Sequence, residues 1–251
     1  MIRQYVFLVS QADKQPIPNF WAYRLYAWML EQVRPSYGEQ LHIEGETPIS
    51  QYLYFNRDLQ QNLWTVSLLN DQMIEIFGPV LDQLHTIQLH GLCLSVVLQH
   101  VREETISNLV GCEKGISNNR RTRLYFAAPT AFKSDGRYGI FPQERWLLQS
   151  MVKKWNQVCP NMPLEDADAL ILLEKGLHIV DYSLRTVRYS LKGTKIPAFV
   201  GNIVMESRLS APLQEIWQLL VALAPYSGIG IKTTLGMGGV FSESTQSEKI
   251  T

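Results

Sequence analysis

Residues 1–33 read MIRQYVFLVSQADKQPIPNFWAYRLYAWMLEQV, and the hydrophobic pattern changes its period within this stretch. Over residues 4–10 a short apolar run alternates with polar side chains, which is typical of a β-strand. Over residues 19–33 apolar side chains recur at helical spacing, and Asn19 is a candidate N-cap. The stretch therefore predicts a strand followed by a helix.

The same two periods continue to residue 100. The predicted elements are strands at 49–55 and 63–69, a helix at 71–84 and a strand-rich stretch at 86–100. Asp71 is the expected N-cap of the helix, and Gly78-Pro79 predicts a kink or break inside it. The order β-α-β-β-α-β is that of a ferredoxin-like fold.

The second half repeats this order. The predicted elements are a strand at 123–128, a long turn or hairpin at 129–142, a helix at 143–157, strands at 177–190 and 196–207, a helix at 211–224 and a strand near 239–242. The long hairpin turns near Lys192-Gly193, Pro212 lies near the start of the last helix, and Pro225 follows that helix. We therefore predict an α+β protein with two tandem ferredoxin-like (RRM-like, βαββαβ) domains, residues 1–115 and 116–251.

Charge is divided unequally between these halves. The whole chain has 251 residues with 23 Lys and Arg against 23 Asp and Glu, which argues against a strongly basic nucleic-acid protein. However, residues 1–115 carry 7 basic and 12 acidic residues, whereas residues 116–251 carry 16 and 11. The asymmetry suggests that the second half meets a polyanion, and chance or pairing between the halves is the alternative explanation.

Cysteine and apolar patterns exclude several other classes. Cys93, Cys112 and Cys159 are far apart and form no CxxC motif, which argues against a disulfide framework and favours a cytoplasmic protein. No run approaches 18 apolar residues, so we expect no membrane span. His85 and His90 lack nearby partners at zinc-ligand spacing, and we expect neither a metal site nor a cofactor.

Residues 228–239 read GIGIKTTLGMGG, hereafter the glycine loop. A Walker motif would need glycine where Ile231 precedes Lys232, and a Rossmann fingerprint would need glycine at Thr233. Two interpretations remain open. The backbone N–H groups, with Lys232, Thr233 and Thr234, form a phosphate-binding surface, or the loop is a turn that packs between the two halves.

Four stretches together resemble the RAMP superfamily, in particular the CRISPR repeat-processing endoribonucleases. They are GEQLHIEG at 38–45, YFAAPTAFKSDGRYGIFP at 125–142, AFVGNIVMESRL at 198–209 and the glycine loop. The match covers nearly the whole chain. Members of this family have two ferredoxin-like folds, in agreement with the order of elements read independently above.

The resemblance implies metal-independent cleavage of repeat RNA by attack of the ribose 2′-OH on the adjacent phosphate, with 2′,3′-cyclic phosphate and 5′-OH ends. His42 matches the catalytic histidine of the family, and histidine suits proton transfer because its pKa is near neutrality. Tyr26 is the closest match to an assisting tyrosine, with Tyr23 and Tyr37 as competitors. Some relatives carry a lysine where this chain has Pro48, so Lys232 is our candidate for stabilising charge.

The resemblance also implies that basic residues of the second half bind the stem of a hairpin repeat. The RNA-binding candidates are Arg120, Arg121, Arg123, Lys133, Arg137, Arg185, Arg188, Lys192, Lys195, Gly228, Gly230, Lys232, Thr233, Thr234, Gly236 and Gly238. Tyr182 and Tyr189 are candidates for base stacking or for the core. The expected partners are precursor and mature CRISPR RNA and subunits of a CRISPR effector complex, with the protein a monomer or homodimer.

Two alternatives to the enzyme remain. The first is a non-catalytic RAMP-type RNA-binding subunit of an effector complex, which needs no histidine. The second is an RRM-like module for single-stranded RNA, which is weakened because the chain lacks the aromatic signature run of that class. The other histidines, His85, His90, His100 and His178, lie in or beside strand-like segments, where a structural role is more common.

Overall fold

The computed structural model describes residues 1–12, 15–33, 47–89, 91–111 and 120–242. His42, Tyr37, His90 and Cys112 lie outside these ranges, as does the predicted domain boundary at 115–116. No described helix is long and apolar enough to cross a membrane.

The first half forms one antiparallel sheet with two helices on one face. Its elements are β1 (Ile2–Ser10), α1 (Ala22–Glu31), β2 (Ile49–Asn56), β3 (Gln61–Leu68), α2 (Asp71–Asp82), β4 (Thr86–Leu89) and β5 (Leu92–Glu104), followed by the short helix α3 (Ile106–Gly111). The strand order is β2-β3-β1-β5-β4. This is the ferredoxin-like order with one added edge strand, because the predicted strand-rich stretch is a hairpin of β4 and β5.

The second half repeats the architecture. Its elements are β6 (Arg121–Thr130), β7 (Phe132–Ser134), β8 (Arg137–Gly139), α4 (Glu144–Val158), α5 (Ala167–Gly176), β9 (Leu177–Leu191), β10 (Thr194–Ser207), α6 (Ala211–Ser227) and β11 (Val240–Ser242). The strand order β11-β6-β10-β9 is again ferredoxin-like, and β7 and β8 form a separate hairpin. The predicted fold class is therefore confirmed.

Helix α5 was not expected from the sequence. It begins after Asp166, whose side chain accepts a 2.9 Å hydrogen bond from the backbone N–H of Ala169. An aspartate before an apolar run is a recognised helix-start signal. The helix was missed because its exposed face carries Ile171 and Leu172, which obscures the amphipathic period.

Several predicted helix ends are wrong by a few residues. Asn19 begins a 3₁₀ turn over Asn19–Trp21 rather than capping α1. The N-cap of α2 is Asn70, which accepts a 2.9 Å bond from the Met73 N–H, and not Asp71. Pro79 does not end α2, and Pro225 lies inside α6 rather than after it. Each proline is within the last four residues of its helix, so the bond that it removes and the bend that it causes affect only the final turn.

The halves share packed surfaces as well as having their own cores. Ile2, Leu69 and Leu109 from the first half pack into the core of the second. A smaller buried cluster around Tyr189 and Met237 lies beneath the glycine loop. Along the chain, the first sheet ends at Glu104 and the second begins at Arg121. The exact domain boundary between them stays a prediction.

Candidate functional site

A cavity of about 800 Å³ lies where the two halves meet, hereafter the lysine cavity. Its walls are α1, α4, the β7–β8 hairpin, the tip of the β9–β10 hairpin and the glycine loop. Its cationic residues are Lys133, Lys153, Lys154, Lys192 and Lys232. No acidic side chain of the described residues lines it. A concave surface lined by one sign of charge concentrates ligands of the opposite sign, here polyanions.

Tight turns place two of these lysines at the cavity. Lys192 has φ +47° in the β9–β10 turn and Lys232 has φ +57° in the glycine loop. The Lys192 ammonium lies over the Tyr23 ring, 5.4 Å from its centre. The predicted residues Tyr26, Lys133, Lys192 and Lys232, which lie far apart in the sequence, therefore share one cavity.

Hydrogen bonds inside the protein engage much of the glycine-loop backbone. The Gly228 N–H donates to the Ala224 carbonyl at 2.8 Å, the Gly230 N–H to Ser150 Oγ at 2.7 Å, and the Gly238 N–H to the Pro129 carbonyl at 3.0 Å. These three amides are not directed at a ligand, so the predicted cradle of N–H groups is wrong for them. The reason is that a buried amide must find a partner within the fold.

The glycines of the loop serve close packing. Gly236 has φ +98°, and a β-carbon there would meet Ala22 of α1 and the Tyr189 hydroxyl. Gly238 has φ +75°, and a β-carbon would meet the Ile229 carbonyl. Both positions need a residue without a side chain, because the backbone conformation and the space each exclude one. The packing interpretation of the loop therefore applies to its glycines.

Lys232, Thr233 and Thr234 of the loop all line the lysine cavity, and of the three only Lys232 is exposed to solvent. The Thr234 hydroxyl donates to the Ile49 carbonyl at 3.0 Å. The Thr233 hydroxyl is buried and has no hydrogen-bond partner within the part of the chain that the structure describes. RNA contact by Thr233, Thr234 and the loop glycines stays a prediction, and Lys232 is its best-placed member.

Tyr26 lies on the α1 wall of the lysine cavity and is buried. Burial raises the pKa of its phenol above the usual value, and a side-chain hydrogen bond with Thr47 opposes this in part. The phenol is therefore neutral at physiological pH and acts as a hydrogen-bond donor, not as a base. Its competitor Tyr23 lines the same cavity.

The remaining basic candidates do not line the lysine cavity. Arg121 pairs with Glu206 at 3.4 Å, and the Arg123 guanidinium lies 6.0 Å from the Tyr125 ring centre, both on β6. Arg185 lines a second cavity of about 370 Å³. The other four, Arg120, Arg137, Arg188 and Lys195, are exposed elsewhere. The two predicted basic clusters are thus each divided, because only Lys133 and Lys192, each on a hairpin, reach the lysine cavity.

The stacking candidates also separate. Tyr189 is fully buried and its hydroxyl donates to the Leu235 carbonyl at 2.5 Å, so it belongs to the core. Tyr182 is 57% exposed and packs against Phe141, with ring centres 5.4 Å apart. Only Tyr182 presents a face that a base can reach.

The sequence interpretation missed the contribution of α4. Gln149, Ser150, Lys153 and Lys154 line the lysine cavity from this helix. The pair Lys153-Lys154, on the polar side of a predicted amphipathic helix, was the available signal. It carried little weight because adjacent lysines on a helix are usually solvated. His85, His100 and His178 do not line the cavity, and within the described ranges no group of three or more His, Cys, Asp or Glu residues is arranged to hold a metal ion.

Two ferredoxin-like sheets that share a lysine-lined cavity define a two-domain α+β protein with a site suited to a polyanion. Comparisons with known proteins narrow this class. A family model described as CRISPR-associated endoribonuclease Cas6 matches residues 124–240. The Cas6 endoribonuclease of Streptococcus thermophilus is 30% identical over 240 residues, which cover 95% of this chain and 97% of that protein. The chain belongs to the Cas6 family, as its sequence motifs predicted.

Solved structures show the same fold. A Cas6 of Thermus thermophilus has a TM-score of 0.74 at 23% identity, covering 96% of this chain and 98% of its own. The product complex of that Cas6 has a TM-score of 0.78 at 22% identity, covering 96% of this chain and 100% of its own.

A second relative by sequence, the Cas6 endoribonuclease of Mycobacterium tuberculosis, is 24% identical over 222 residues, which cover 86% of this chain and 69% of that protein.

Proposed function

We propose that this chain is a CRISPR RNA-processing endoribonuclease that cleaves repeat RNA without a metal ion. The 2′-OH attacks the adjacent phosphorus, the bond to the 5′ oxygen breaks, and the products carry a 2′,3′-cyclic phosphate and a 5′-OH. The observation that carries the proposal is the lysine cavity, in which Tyr26 and Lys232 are brought together among five lysines. The membership of a family of endoribonucleases supports it.

The lysines suit the charge that develops in this reaction. Attack on the phosphodiester places additional negative charge on the oxygens around phosphorus, and fixed cations at that point lower the barrier. Lys232 is held by a left-handed turn at the cavity edge with its side chain exposed. We assign it to the scissile phosphate, and the other four lysines to neighbouring phosphates of the RNA.

Tyr26 offers a proton rather than accepting one. Its raised pKa keeps the phenol neutral, so it donates a hydrogen bond to a phosphate oxygen or to the leaving 5′ oxygen. The leaving oxygen must depart with a proton, and we assign the neutral phenol of Tyr26 and the Lys232 ammonium as its candidate donors.

We assign His42 as the base that removes the 2′-OH proton. It precedes Thr47 by five residues, and Thr47 lines the lysine cavity. The assignment rests on this connectivity and on the match of GEQLHIEG to the family motif.

The wider function follows from the same proposal. The basic residues of the second half hold the precursor and the mature RNA, and the product passes to a CRISPR effector complex in the cytoplasm, from a monomer or homodimer. A solved relative that is a Cas6 product complex supports RNA binding in this fold.

The decisive experiment is incubation of the protein with its repeat RNA in EDTA. We expect cleavage, with a product end that resists a phosphatase until acid opens the cyclic phosphate. Loss of cleavage in EDTA that magnesium restores would contradict the mechanism. Tight binding without any cleavage, with or without magnesium, would instead favour the non-catalytic RNA-binding subunit.

A further inference from the structure

Gln51 connects three elements from a fully buried position on β2. Its side-chain Nε2 donates to the Ala22 carbonyl of α1 at 3.0 Å and to the Thr234 carbonyl of the glycine loop at 2.9 Å. Its Oε1 accepts a 2.9 Å bond from the indole N–H of Trp64 on β3. Both N–H groups of the side-chain amide are thereby hydrogen-bonded.

The orientation of this amide follows from its partners. An indole N–H only donates and a backbone carbonyl only accepts. The amide oxygen must therefore face Trp64, and the two N–H groups must face Ala22 and Thr234. The sheet thus imposes one geometry on the amide, and the amide holds two carbonyls from different halves of the chain at a fixed separation.

Both carbonyls belong to elements that line the lysine cavity: Ala22 is on α1, and Thr234 itself lines the cavity. Ala22 precedes Tyr26 by about one turn of α1. Thr234 follows Lys232 by two residues, and its hydroxyl is also tied to β2 through the Ile49 carbonyl. We propose that Gln51 is a positioning residue, which sets the distance between the Tyr26 wall and the Lys232 wall. This inference rests on the proposed ribonuclease function for its catalytic consequence.

The chain contains a matched control in Gln4. Its side chain is also buried, and its Nε2 also makes two bonds, to Ser67 Oγ at 2.9 Å and across the halves to the Pro225 carbonyl at 3.0 Å. Gln4 does not line the lysine cavity, and neither of its partners does. Loss of Gln4 therefore reproduces the loss of a buried, bridging glutamine without affecting the cavity walls directly.

The experiment compares Gln51→Met with Gln4→Met, each assayed well below its own melting temperature. For Gln51→Met we expect the single-turnover cleavage rate of repeat RNA to fall about tenfold or more, because displacement of reacting groups by about 1 Å is costly to catalysis. The Kd for RNA should change less than about threefold, because all five lysines of the cavity remain.

Gln4→Met should melt earlier but cleave within about twofold of the original protein. Gln51→Glu keeps the size and the acceptor but has at most one donor in either protonation state, so it cannot bond both carbonyls; it should also slow cleavage and serves if the methionine variant does not fold.

A double variant separates positioning from general stability. If Gln51 acts through Tyr26, Gln51→Met combined with Tyr26→Phe should be slowed less than the product of the two single effects. Independent, multiplicative effects would overturn the proposal, as would equal losses of cleavage in the Gln4 and Gln51 variants.

Hydrogen exchange tests the inference without using activity. Gln51→Met should speed amide exchange in both α1 and the glycine loop, whereas Gln4→Met should not change these two segments together. Unchanged exchange in Gln51→Met would overturn the positioning role even if the protein cleaves RNA. Failure of the original protein to cleave RNA, with faster exchange in the variant, would contradict the proposed function and leave the structural role intact.

Discussion

The two walls of the lysine cavity differ in charge and in origin. The wall from the first half consists of Tyr23, Tyr26, Ala27, Leu30 and Thr47, and none of these side chains carries a charge at neutral pH. The wall from the second half carries all five lysines. Under the proposed function, one wall supplies proton donors and the other holds the phosphates. The neutral total charge of the chain conceals this division, because it averages an acidic half with a basic one.

The largest expected effect comes from the first-half side. His42→Ala should reduce the cleavage rate by about 100-fold or more, since general acid–base catalysis contributes on that order. The Kd for repeat RNA should stay nearly unchanged, because the phosphates are held by the other wall. Single-turnover cleavage and filter binding measure the two quantities.

His178→Ala is the matched control for this prediction. His178 is exposed on β9 and outside the lysine cavity, so its loss should leave the cleavage rate unchanged. If His42→Ala cuts normally while His178→Ala does not, the division of roles between the walls is wrong.

A smaller effect is expected from Tyr26→Phe, which removes only the phenolic hydroxyl. Cleavage should slow about tenfold at unchanged RNA affinity. Because burial raises the pKa of this phenol above its usual value, it stays neutral below about pH 10. The ratio of the two rates should therefore be constant between about pH 6 and 9. A ratio that changes sharply near pH 7 would show that the tyrosine does not act as a neutral donor.

The smallest effect should come from one cation of the second-half wall, because the four other lysines of the cavity still supply positive charge near the phosphates. Lys232→Ala should weaken RNA binding about fivefold and reduce the slope of log affinity against log salt by about one, as expected for one phosphate contact. Lys175→Ala, an exposed lysine on α5 outside the cavity, should change neither quantity. An unaltered salt slope for Lys232→Ala would make the glycine loop purely structural.

Local sequence patterns predicted the fold well because they reflect which face of each element is buried. The alternation in β1 and the helical period of α1 predicted both elements, and the same signals in the second half predicted its ferredoxin-like fold, which the strand order confirms. The missed helix α5 shows where this fails: Ile171 and Leu172 are about half exposed, so its apolar residues do not mark one buried face. Pro79 and Pro225 led to wrong helix ends for a different reason: each lies in the last turn of its helix, where the disruption that a proline causes affects few further residues.

The candidate site was predicted less completely. Motif resemblance identified Tyr26 and Lys232, and the structure brings them into one cavity. It did not identify Lys153 and Lys154, which look like solvated residues on a helix. It also assigned too many amides of the glycine loop to RNA binding. The Gly230 N–H, for example, donates to Ser150, which lies on α4 and is distant in the sequence.

The sequence by itself determined the order of elements apart from α5, the charge difference between the halves and the presence of a glycine-rich loop near the end of the second half. Tertiary structure alone decided which lysines share a cavity, which amides of the glycine loop are already bonded, and that Gln51 joins the two walls. The physical reason is the separation along the chain of the residues that form each feature. Secondary structure follows from periodicities within a dozen residues, whereas a cavity is assembled from side chains at opposite ends of the chain, such as Tyr26 and Lys232, whose approach leaves no local pattern.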